Sequence, residues 1–133
     1  MTRRSHILAL GLSLLGACGA SPTETSAGDF VPDISERGSF RLQVSLDEGS
    51  FRRGSNPMTV RALTPEGEPA SLLEVRARMP GHAHAESLAE VRAVDGAWRV
   101  DGLEMTMPGR WVITFRVAHE GVEDEALAVT SLR

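Results

Sequence analysis

Phe40-Arg41-Leu42-Gln43-Val44-Ser45-Leu46-Asp47 alternates apolar and polar residues without a break. That is the two-residue period of a β-strand with one buried face. Working outward, residues 48–56 carry two glycines and the pair Arg52-Arg53 and read as a loop, after which Pro57 admits a second strand, Met58-Thr59-Val60-Arg61-Ala62. Beyond the punctuation of Pro65-Glu66-Gly67-Glu68-Pro69, the stretch Leu73-Glu74-Val75-Arg76-Ala77-Arg78-Met79 is a third strand, and its phase sets Leu73, Val75 and Met79 on one face. Residues 89–94 make a fourth, and Asp95-Gly96 closes a two-residue hairpin into Trp98-Arg99-Val100. Asp101-Gly102 bends that strand before Leu103, Met105 and Met107 take the inner face. Trp111-Val112-Ile113-Thr114-Phe115-Arg116-Val117 follows with its odd positions inward, and after His119-Glu120-Gly121 residues 127–132 form the last strand. No segment sustains a helical period, although residues 82–88 have room for one helical turn. Short strands divided by glycine and proline turns predict an all-β fold, an immunoglobulin-like antiparallel β-sandwich of about seven strands over residues 38–133.

The start of the chain has a different character. Arg3 and Arg4 precede an apolar run and then small residues before the only cysteine, the pattern of a secretory signal at residues 1–17. The run is too short to span a bilayer, which takes about 20 apolar residues. Leu15-Gly16-Ala17-Cys18 resembles the bacterial lipobox, and the resemblance implies that Cys18 becomes the mature N-terminus and carries acyl chains. Two or more chains, at about 0.8 kcal/mol per buried CH₂, would hold the protein on a membrane. Gly19 stands where an aspartate would favour inner-membrane retention, so the expected location is the periplasmic side of the outer membrane. Residues 18–37, rich in Ser, Thr, Pro and Gly, read as a flexible tether.

Formal net charge is -4 for the whole sequence and becomes more acidic once Arg3 and Arg4 are removed with the signal. That balance argues against nucleic acid as a partner. The sequence has no Gly-x-Ser-x-Gly elbow, no His-Glu-x-x-His pair and no lysine for a phosphate-cradling loop, so the expectation is a protein that is not an enzyme. Glu86 and Glu90 stand near histidines, but no nucleophile accompanies them and they read as solvated charges.

Two stretches do carry a chemical pattern. Met79-Pro80-Gly81-His82-Ala83-His84 and Met105-Thr106-Met107-Pro108-Gly109-Arg110-Trp111 share a Met-Pro-Gly core. Proline fixes its own φ, extends the methionine before it and precedes a glycine free to take positive φ, which predicts a type II turn at each place. Because an antiparallel sandwich reverses at every strand, alternate loops share an end. The two corners are therefore predicted neighbours, with the loop carrying Asp47, Glu48, Arg52 and Arg53 as a third wall. Soft thioethers beside borderline imidazoles suit Cu(I) and tolerate Cu(II), so the candidate metal ligands are Met79, His82, His84, Met105 and Met107. Against this stands the plainer reading that all three methionines are in phase with core positions, where methionine fills gaps.

At these residues the chain resembles the YtkA-like domain family, related in pattern to the periplasmic domains of FixH-like proteins. The resemblance rests on Met79-Pro80-Gly81-His82-x-His84, then Asp95-Gly96 with Trp98, then Met107-Pro108-Gly109-x-Trp111. It implies a small exported β-sandwich and, by analogy with copper-handling relatives, ligands at Met79, His82, His84 and Met107; Met105 comes from strand phase alone. Two functional expectations follow: a lipid-anchored module binding or handling copper with a periplasmic protein partner, or a metal-free, non-catalytic interaction module.

Overall fold

Alternation becomes strand along most of the chain. The computed structural model describes residues 30–133. The expected signal at 1–17, the lipidation site Cys18 and the tether up to residue 29 lie outside the described residues. In chain order the strands are β1 (Arg41–Leu46), β2 (Gly54–Ser55), β3 (Met58–Leu63), β4 (Ser71–Arg78), β5 (Glu86–Leu88), β6 (Glu90–Val94), β7 (Ala97–Asp101), β8 (Glu104–Met105), β9 (Gly109–His119) and β10 (Val122–Leu132). They pair antiparallel in two four-stranded sheets, β1-β3-β7-β6 and β10-β9-β4-β5, with β2 and β8 as a separate short pair.

The protein is an all-β antiparallel sandwich. Odd positions of β9 (Trp111, Ile113, Phe115, Val117) are enclosed with Val75 and Ala77 of β4, Ala126 and Ala128 of β10, and Leu42, Val60 and Val100 of the other sheet. Burying a side chain of valine to phenylalanine size contributes about 1.5–3 kcal/mol, so β9, central in its sheet, is the main contributor. Asp95 and Gly96 both take positive φ (48° and 74°), the geometry of a type I′ hairpin, and Val94 pairs with Ala97 across them as the sequence predicts. Glu120 and Gly121 repeat that geometry between β9 and β10.

Three expectations need correction. Leu73 is nearly half exposed instead of facing inward with Val75. A register shift between Leu72 and Glu74 against β9 inserts one extra residue, so Leu72 takes the inward place and Leu73 is turned out. Residues 82–88 hold no helical turn; Glu86, Ser87 and Leu88 pair with Arg78, Ala77 and Arg76 as β5.

The ordered body also begins before residue 38. Phe30 bridges to Val129 of β10, Ile34 bridges to Arg41 of β1, and the intervening segment closes the side of the sandwich between those two edges. Its clasp is Asp124, buried on β10. Ser35 Oγ donates to Asp124 Oδ2 at 2.6 Å, as do the backbone amides of Arg37 (3.0 Å) and Ser39 (3.3 Å), while Arg37 Nε approaches Oδ1 at 3.3 Å. Burial alone would raise the carboxyl's pKa. The hydrogen bonds from Ser35 and from the amides of Glu125, Arg37 and Ser39 outweigh burial and hold it well below the ordinary carboxylate range. This run of Ser, Glu, Arg and Gly lacks the apolar content to order itself; its order comes from one buried acceptor on a distant strand.

Candidate functional site

At one end of the sandwich three connections meet: the β4–β5 corner, the β8–β9 bend and the β1–β3 loop. In the corner, the amide of His82 donates to the Met79 carbonyl at 3.1 Å and Gly81 has φ +84°, which together make the expected type II turn. A second turn follows at once, the Ala85 amide donating to the His82 carbonyl at 3.1 Å, and the Met79 amide bonds the Ala85 carbonyl at 3.0 Å to close the loop. Met79 and Ala85 are buried anchors; residues 80–84 are exposed between them. Beside the loop lies a hollow of about 400 Å³, lined by Arg78, Met79, Pro80, His82, Ala85 and Glu86 among others.

The bend differs from the type II turn expected of it. Gly109 takes φ +125°, already pairs with Leu132 as the first residue of β9, and stands beyond the φ near +80° of a type II turn. Outside contacts hold the bend in place: Trp111 Nε1 donates to the Met107 carbonyl at 2.9 Å, and Arg53 Nη2 and Nε donate to the Thr106 carbonyl at 3.1 and 3.3 Å. The third wall is therefore in place, through Arg53. It is shaped by two residues whose role the sequence does not announce. Phe51 is buried in the core, and Asn56, also buried, accepts from the Arg52 amide and donates to the Arg52 and Gly54 carbonyls. Only the four-residue Arg52-to-Asn56 spacing hints at such a side-chain-closed loop. Asp47 faces the other way, bound by both terminal nitrogens of Arg99 at 2.8 and 2.6 Å, and that hydrogen-bonded guanidinium lowers its pKa.

The two Met-Pro-Gly segments touch. A β-carbon placed on Gly109 would stand 3.1 Å from Met79 Cε and 3.7 Å from Met79 Sδ, so the thioether of the first corner lies on the bare backbone of the second. The five candidate ligands separate by burial. Met79 is 7% exposed and Met107 37%, while His82 and His84 are exposed in the loop. Met105 has no exposed surface: it faces inward from β8 among core residues such as Leu103, and serves there as packing. Met107, expected on the inner face with Leu103 and Met105, is instead carried outside because β8 ends at Met105 and the chain bends. Among the described residues no three His, Cys, Asp or Glu side chains converge as a metal-binding group. Comparison with models of protein families, with curated proteins and with solved structures gave no match.

Proposed function

We propose that this chain is a lipid-anchored extracytoplasmic module that holds or passes Cu(I) at the Met/His end of its sandwich. The observation that carries the reading is the abutment of Met79 on Gly109, which brings together two segments about 30 residues apart in sequence, each bearing soft donors. Met107, His82 and His84 are the accessible candidate ligands, and Met79, nearly enclosed, lines the hollow with His82. Thioether and neutral imidazole bind Cu(I) without protons being displaced from the sulfur, and a site of few ligands on an exposed loop favours transfer by stepwise ligand replacement with a partner protein. The strand orders β1-β3-β7-β6 and β10-β9-β4-β5 support reading the sandwich as immunoglobulin-like. Membership of the YtkA-like family, anchoring through Cys18 and an outer-membrane location facing the periplasm complete the proposal.

The second reading is a metal-free interaction module in which the Met-Pro-Gly segments are architectural. It is favoured by the enclosure of Met105 and the near-enclosure of Met79. Titrating the purified protein with Cu(I) against a chromophoric chelator separates the two. The copper reading expects competition by the wild type and at least about ten-fold weaker competition by a His82→Ala/His84→Ala variant. Failure of the wild type to compete selects the metal-free reading, and equal competition by the variant removes His82 and His84 as ligands and overturns the Met/His site.

A further inference from the structure

The edges of the two sheets are not equally protected. On one side of the sandwich residues 30–37 cover both edges: Leu42 of β1 donates its amide to the Asp33 carbonyl, Ile34 bridges to Arg41, and Phe30 exchanges hydrogen bonds with Val129 of β10. On the other side the sheet carrying β4 ends in the three-residue β5, beyond which β4 has its bulge. A bulge and a short edge both discourage strand addition. That leaves β6, five regular residues at the edge of its sheet.

Hydrogen-bond parity fixes which groups of β6 are free. Val94 and Ala97 flank a two-residue hairpin and therefore exchange hydrogen bonds, so the next such pairs are Arg92 with Arg99 and Glu90 with Asp101. Val91 and Ala93 consequently point their amides and carbonyls away from the sheet. On the solvent face Glu90 makes no side-chain hydrogen bond or ion pair among the described residues, and Arg92 only a long one to Asp101 at 3.6 Å.

We propose that β6 is an isologous docking edge for a second copy of this chain, pairing antiparallel about a two-fold axis at Val91. With Val91 opposite the partner's Val91, each Glu90 lies directly opposite the partner's Arg92, so the same two residues form two compensating cross-strand pairs. Shifting the register to set Val91 opposite the partner's Ala93 pairs the free backbone groups more fully, since in the first register Ala93 meets the partner's Ala89, whose amide already donates to Val75, but the shift places Arg92 opposite the partner's Arg92. Charge selects the first register. One strand pair buries little surface, so the association is concentration-dependent and not obligate.

Sedimentation equilibrium of the purified chain over a wide concentration range tests this. The expected result is reversible approach to twice the chain mass. Arg92→Glu sets like charges opposite each other and should weaken association about ten-fold, whereas the swap Glu90→Arg/Arg92→Glu should restore it, although both variants lose the Asp101 contact. Val91→Pro should abolish the dimer while lowering the monomer's thermal stability only by the loss of the half-buried Val91 packing, as Val91→Ala would, because that amide serves no bond within the chain. A chain that stays monomeric at every concentration, a dimer indifferent to Arg92→Glu or Val91→Pro, or a folded double variant that fails to re-associate would overturn the proposal.

Discussion

At residues 79–81 Met-Pro-Gly folds into a hydrogen-bonded turn with its methionine enclosed, whereas at 107–109 the same tripeptide makes an open bend with its methionine in solvent. Proline and glycine impose similar local restrictions in both, so the difference comes from outside the tripeptide. Met79 continues the inward parity of Val75 and Ala77 and is carried beneath the turn. Met107 follows a two-residue strand that has already ended, and its position is set by Arg53 and Trp111 holding the carbonyls of Thr106 and Met107. The pair teaches that a turn motif fixes backbone angles while strand parity decides which donor is offered. One methionine is enclosed beneath its turn and the other exposed at its bend, and the bare backbone of Gly109 leaves room for Met79 to rest on it.

The largest effect expected from this contrast lies between the methionines of the bend. Met105→Ala should cost about 3–4 kcal/mol in urea unfolding, as a fully enclosed side chain, and Met107→Ala less than about 0.5 kcal/mol; comparable losses would contradict the assignment of one to the core and the other to the surface. The Asp124 clasp, at the far end of β9 from both corners, supplies the control. Asp124→Ala should cost about 3 kcal/mol by leaving buried donors unsatisfied, with no change in any property of the Met/His end. Because its folded pKa lies below the unfolded value near 3.9, its stabilisation is complete above that unfolded value and fades as pH falls further. Thermal unfolding of Asp124→Asn should therefore depend less steeply on pH below about 4 than that of the wild type. The glycines give a smaller, sharper contrast: Gly109→Ala meets both φ +125° and the Met79 methyl at 3.1 Å, whereas Gly81→Ala meets φ +84° in open space. The first should cost about 2–3 kcal/mol and the second about 1 kcal/mol; equal values would mean that Met79 does not rest on Gly109.

Much of the sandwich was legible because alternation is written directly into residues 40–47 and 111–117, and because Asp95-Gly96 admits few turns besides the one it makes. Leu73 was misplaced because a bulge breaks the period by one residue without any sign in composition. β5 escaped detection because three residues, Glu86-Ser87-Leu88, are too few to show a period; their pairing with β4 makes them a strand. Residues 30–37 read as tether in the sequence because their order is conferred by Asp124, nearly 90 residues later. In the candidate site the meeting of the corners followed from counting strands. The burial of Met105 was also written in the strand phase, but the exposure of Met107 was not, since the inner-face phase does not extend beyond the point where β8 ends.

Methyl-resolved NMR of the protein with and without Cu(I) tests the central claim most directly, since the four described methionines report from three depths: Met58 and Met105 fully enclosed, Met79 nearly so, and Met107 exposed. The account predicts that the Met107 methyl moves most, that Met79 moves with it together with the ring signals of His82 and His84, and that Met58 and Met105 stay still. Stationary signals at Met79, Met107 and both histidines under saturating Cu(I), or movement confined to the core methionines, would contradict it.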